Sequence, residues 1–194
     1  MAKQKYFIGG EYDTPQGRIK ILDLIPKNSR LPGRSNKRAV ILFVKSGWVA
    51  NVQMSNIPLG KIKDKRKPTV YGVGYIDTNL IIPPRKSGAY IRQVYDLWAN
   101  MLKRCYGKTS DQTQKWYGDV TVDKRWHSFR HFLGTVYLIR GYDKWVKDSS
   151  MHLDKDLANS RTYNLKSCIF ITGSENATIS NNKRWHGVNA LVLR

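Results

Sequence analysis

Residues 151–182 concentrate the side chains that could do chemistry, and they read MHLDKDLANSRTYNLKSCIFITGSENATISNN. The pattern is strand, loop, strand, helix. In a strand over 151–157 the side chains alternate between faces, so His152, Asp154 and Asp156 point the same way. An imidazole in line with carboxylates can move a proton to or from a reacting group. The competing reading is a solvated pair of carboxylates at a turn. Residues 158–166, with Asn159, Ser160 and Asn164, connect to a second apolar strand over 168–171. Thr172 or Ser174 then caps a helix carrying Glu175, Asn176 and Ile179.

These groups need a scaffold. After Gly88 the apolar period becomes that of a helix, with Ile91, Val94, Tyr95, Trp98, Met101, Leu102 and Cys105 on one face. A second helix is expected over 126–139, with Phe129, Phe132, Leu133, Val136 and Tyr137 inward and Asp123 as its cap. These aromatic stripes read as core, not as platforms for stacked bases. Residues 5–77 read as β: a partly alternating 18–24, an apolar 39–44, and 48–53 after the Ser46-Gly47 turn. They suggest a small curled sheet or partial barrel with basic loops. Gly72 and Gly74 do not make a dinucleotide fingerprint, because the third glycine is missing. They read as a tight turn or a close backbone approach. Residues 78–89, with Pro83-Pro84, look like a linker before a domain over 90–194. The fold class is therefore α+β: a β-rich module over 1–77, then helices and a strand–strand–helix segment.

The chain has 194 residues, with 34 Lys+Arg against 14 Asp+Glu, a formal charge of +20. Residues 1–90 carry +12 and 91–194 carry +8. Positive charge along the whole chain points to an extended polyanion, above all nucleic acid. The plainer reading is a basic protein kept soluble by its charge. No apolar run reaches the roughly 18 residues that span a bilayer. The amino terminus has no apolar stretch fit for a secretory signal, so a cytoplasmic, membrane-free location is expected. Cys105 and Cys168 are too few for a disulfide framework or a four-cysteine zinc site, and read as reduced, buried thiols. The densest basic run is Lys61, Lys63, Lys65, Arg66 and Lys67, the first choice for phosphate contacts. Lys103, Arg104, Lys124, Arg125 and Arg130 come next. Each cluster also reads as a solvated charge run.

At Leu153-Asp154-Lys155-Asp156-Leu157, followed by Tyr163, Cys168, Phe170 and Asn176, the sequence resembles the HNH (ββα-metal, His-Me finger) homing endonucleases of bacteriophages. The resemblance is to their DKD-containing branch. Residues 95–106 are similar to that family's first helix, and residues 120–132 to its next strand-and-helix step. Residues 1–76, with Gly60-Lys61 and Tyr71-Gly72-Val73-Gly74-Tyr75, are similar to an amino-terminal module often attached to such proteins. The resemblance implies an HNH-like finger within 90–194, one Mg²⁺ or Mn²⁺ ion per site, and duplex DNA as partner in an infected bacterial host. It implies Asp154 and Asn176 as metal ligands, with Asn181 as second choice. The catalytic set is then Asp154, Lys155, His152 and Asn176. Two positions depart from the pattern. Lys155 stands where the family has its base histidine, and a lysine beside carboxylate and phosphate stays protonated, suited to binding phosphate rather than to accepting a proton. His152 is the alternative base. Ser167 stands where a base-orienting asparagine is usual. His127, His131 and His186 read as structural or phosphate-contacting. A further strand is expected from His186, where longer relatives carry an AP2-type module.

Three functions follow. The first is a metal-dependent phage DNA endonuclease that hydrolyses phosphodiester bonds in duplex DNA. The second is a catalytically inactive HNH-derived DNA-binding protein, a regulator or an accessory factor docked on a phage or host complex. The third is a basic RNA- or ribosome-associated protein, since phosphate contacts carry no information about the sugar.

Overall fold

The structure is a computed structural model, and it describes residues 6–26, 37–107, 118–155 and 160–185. It is mixed α+β. The chain divides into two compact units, Met1–Lys67 and Pro68–Arg194.

The first unit is a four-stranded antiparallel meander, β1 (Glu11–Thr14), β2 (Gly17–Ile25), β3 (Arg38–Phe43) and β4 (Val49–Gln53), in that order. Period-2 alternation sends Ile19 and Ile21 of β2, and Ala39, Ile41 and Phe43 of β3, to one buried face. Ile57 and Ile62 from the following segment cover them. The register shifts between Ile21 and Asp23, and the extra residue, Leu22, is turned outward. Such a bulge strengthens the local twist. The sequence pattern misses β1, whose residues EYDT show no apolar alternation; backbone pairing to β2 makes the strand.

The second unit is organised by α1 (Tyr90–Tyr106). Its buried residues Val94, Trp98, Met101 and Leu102 lie on the stripe read from the sequence. Strand β5 (Thr121–Val122) pairs in parallel with β7 (Thr162–Tyr163). The single helix expected over 126–139 is broken. Asp123 caps a 3-10 turn at Lys124–His127, its side chain accepting from Arg125 N. Ser128 caps α2 (Phe129–Leu133) by accepting from His131 N, and a second 3-10 turn follows at Val136–Leu138. The cause is local: a serine hydroxyl in mid-pattern competes for backbone donors, and Gly134 follows the last residue of α2. Helix α3 (Tyr142–Lys147) comes next, then β6 (His152–Asp154), β7, β8 (Ile169–Ile171) and α4 (Gly173–Trp185). Aromatic packing dominates the core. Trp98 and Phe129 are fully buried, and Trp145 stacks on Phe170 at 5.0 Å. Each such ring contributes roughly 1.5–3 kcal/mol by leaving water.

The boundary between units falls ten residues before the one expected at 77. Residues 68–77 fold with the second unit. Tyr75 N donates to His127 O at 2.9 Å, Phe129 N donates to Tyr75 O at 3.0 Å, and Asp77 accepts from Ser128 Oγ at 2.7 Å. Gly74 is a close approach: a Cβ there would lie 2.5 Å from Leu102 Cδ1 and 2.9 Å from the Trp98 ring. Among the described residues no helix is long and apolar enough to cross a membrane.

Candidate functional site

Strands β6 and β8 form an antiparallel ribbon in which His152 faces Ile171, Leu153 faces Phe170 and Asp154 faces Ile169. The helix α4 leaves from the Ile171 end, so it starts beside His152. The turn into α4 is fixed by a capping box. Thr172 N donates to Glu175 Oε2 at 2.7 Å, and Glu175 N donates back to Thr172 Oγ1 at 3.2 Å. Thr172, not Ser174, is therefore the cap. Those bonds favour the ionised form of Glu175 and hold its carboxyl below the usual range. The His152 ring lies 3.7 Å from the point where a Cβ on Gly173 would sit. His152 is exposed, and its imidazole makes no hydrogen bond among the described residues.

Asn176 is one turn into α4 and half-buried, with its backbone N–H on Thr172 O at 3.0 Å. Its carboxamide has no partner among the described residues. Asp154 is 7% exposed and Lys155 only 4%. The Lys155 ammonium sits 5.5 Å over the Tyr163 ring. Both charges act on Cys168, and Lys155 also acts on Cys105. The phosphate-binding role expected of Lys155 thus meets a side chain turned into the protein. Burial pushes the Cys168 thiol up to about 12 and the half-buried Cys105 thiol up to about 11, so both are unreactive as nucleophiles. Ser167 does not orient a base. Its Oγ donates to Thr162 O at 2.6 Å and accepts from Asn164 N at 3.2 Å, closing the 162–167 loop. Asp156, Asn159, His186 and the strand expected after it lie outside the described residues, as does the side chain of Asn181.

The donor chemistry of Asp154 and Asn176 fits a hard divalent cation. A carboxylate and a carboxamide both offer oxygen, the preference of Mg²⁺ and Mn²⁺. Among the described residues no group of three or more His, Cys, Asp or Glu is placed to hold a metal ion. Asp154 lies opposite Ile169, at the end of the ribbon away from the start of the helix that carries Asn176.

The basic candidates fall into two sets. In the first unit Lys61, Lys63, Arg66 and Lys67 are exposed and Lys65 is half-buried. The run is pinned to the β3–β4 hairpin. Arg66 donates to Ser46 O and Gly47 O at 3.5 and 3.4 Å, Asp64 Oδ1 accepts from Arg66 N at 2.9 Å, and Lys65 Nζ lies 5.9 Å from the Trp48 ring centre. This fixes the cluster beside Lys45 and Trp48, which sequence reasoning leaves out of the binding set although the Ser46-Gly47 turn lies between them. In the second unit Lys103 is exposed and Arg104 half-buried on the last turn of α1. Lys124 and Arg130 are exposed, while Arg125 is held by Asp123 at 2.8 Å. Arg125, Arg130 and His131 border a cleft of about 380 Å³ over Tyr75 and Ser128.

Compared with models of protein families, with curated proteins and with solved structures, the chain matches none.

Proposed function

We propose that this chain is a metal-dependent DNA endonuclease of the phage HNH homing type, acting in the host cytoplasm. One observation carries the reading. A two-stranded ribbon runs into a capped helix, with the imidazole of His152 at the turn and the carboxamide of Asn176 one turn on, both without a hydrogen-bond partner among the described residues. The +20 charge supports a polyanionic duplex as substrate. Asp154 and Asn176 would be the residues to hold one Mg²⁺ or Mn²⁺ ion, which would supply positive charge to the scissile phosphate. His152 Nε2 or Nδ1 takes the proton of an attacking water, since the ring is exposed and has no competing bond. Lys155 is buried with its side-chain nitrogen over Tyr163, away from the exposed ring of His152 that we assign as the base. Lys61, Lys63, Lys65, Arg66 and Lys67 contact phosphates of bound DNA, and Lys103, Arg104, Lys124, Arg125 and Arg130 add to this.

A second reading, a DNA-binding protein without catalysis, is favoured by one observation: Asp154 is only 7% exposed. Incubation of the full chain with duplex DNA and Mg²⁺ or Mn²⁺ separates the two. Endonuclease action predicts metal-dependent nicks or breaks that disappear in Asp154→Ala/Asn176→Ala and fall about 10²–10⁴-fold in His152→Ala, the range for loss of a general base. Salt-sensitive binding with no cutting under either metal supports the second reading. Cutting that survives the double substitution refutes this active site.

A further inference from the structure

A cleft of about 310 Å³ opens between α1 and the strand that carries His152. Its floor is apolar: Met101, Trp145 and Tyr163 line it and are 2–3% exposed. Its polar lining comes from Gln93, Asp96, Asn100 and Arg104 of α1, with Ser149, Ser150 and His152 itself, and the Asp96 carboxylate is paired with Arg92. The carboxamide of Asn100 is exposed and has no partner among the described residues. A pocket with an apolar floor and a polar mouth fits one small, flat, partly polar ligand. Its size admits one unpaired base with its sugar and excludes a base pair.

Resting on the nuclease reading above, we propose that this cleft receives a single unstacked nucleotide of the DNA substrate, with an adenine base preferred. An asparagine amide presents one donor and one acceptor, the pair that matches the exposed edge of adenine. On leaving the duplex the base gains apolar contact with the floor rather than a free stacking face, since the Trp145 ring is already stacked on Phe170 and the Lys155 side chain lies over Tyr163. Arg104, at the end of α1, faces the phosphate of that nucleotide. His152 is common to cleft rim and ribbon, so a nucleotide seated here brings its own phosphodiester to the imidazole.

The test uses the full chain and three probes in calorimetry: deoxyadenosine monophosphate, deoxyadenosine and inorganic phosphate. The expected result is heat with both the nucleotide and the uncharged nucleoside, and none from phosphate that competes with them. Asn100→Ala weakens nucleotide binding about 10-fold, roughly 1.4 kcal/mol. Ser149→Trp, placed at an exposed rim position, abolishes it by filling the mouth. A second readout is 2-aminopurine in a duplex, whose fluorescence rises on unstacking with the wild-type chain and stays low with Ser149→Trp. Binding of phosphate alone, or nucleoside binding unchanged by both substitutions, overturns the proposal. The outcomes separate from the nuclease reading: cutting without nucleoside binding sinks the cleft alone, and nucleoside binding lost in Ser149→Trp without any cutting sinks the nuclease alone.

Discussion

Lys63 and Lys155 put the same side chain into two surroundings. Lys63 belongs to an exposed run, and among the described residues of its unit no polar side chain is buried in the core. Lys155 is 4% exposed, set over Tyr163 in the neighbourhood of Asp154 and Cys168. Removing an ionised group from water costs several kcal/mol unless another charge and hydrogen bonds compensate. In the sheet unit, charge is a surface property that can be changed at little cost to the fold. At the ribbon, Asp154 and Lys155 are part of the interior, and their neighbours are arranged around them. The comparison teaches where net charge is informative. The +20 total describes the exposed charge of both units and what it can bind, whereas the chemistry of the ribbon rests on a few groups that barely alter the total.

The largest effect expected from this contrast is on stability. Lys155→Ala removes one charge of a buried set and leaves a void, at a cost of about 3 kcal/mol in urea unfolding. Lys63→Ala stays within about 0.5 kcal/mol of wild type, yet flattens the salt dependence of DNA binding by about 1 in slope. Equal stability losses at the two lysines would erase the distinction. A smaller effect belongs to the turn beside His152. Thr172→Ala removes the acceptor for Glu175 N and costs about 1 kcal/mol, read as lower helical signal and melting temperature. Restoration by Thr172→Ser would tie the loss to the cap.

The smallest effect is a pH dependence. His127 Nε2 is buried without a hydrogen-bond partner among the described residues, and burial lowers the proton affinity of its ring from the ordinary 6.5. The unfolded chain therefore takes up this proton first as the pH falls. Stability is full above pH 6.5 and is lost as the pH drops through the lower folded value. In His127→Phe this part of the slope between pH 7 and 5 disappears. An unchanged slope would assign the dependence elsewhere.

Periodicity made much of this fold legible before any coordinates. The α1 stripe of Val94, Trp98, Met101 and Leu102, and strands β2, β3 and β4, follow from side-chain spacing alone. Polar punctuation was harder to weigh. Ser128 looks like any mid-helix serine until its hydroxyl is seen to cap α2. The burial of Asp154 and Lys155 was not legible, because LDKD is a polar string and only the packing of Tyr163 and Cys168 around it turns both residues inward. The capping box at Thr172 and Glu175 was half-legible: the spacing pointed to two caps, and the reciprocal bonds select one.

The direct measurement is the binding of Mn²⁺ to the full chain, followed by electron paramagnetic resonance in the absence of DNA and then with it. One ion per chain is the predicted stoichiometry, lost in Asp154→Ala and weakened in Asn176→Ala, with both variants still folded by circular dichroism. Stoichiometric Mn²⁺ binding that neither substitution alters, or no Mn²⁺ binding by the wild-type chain even with DNA present, would contradict it.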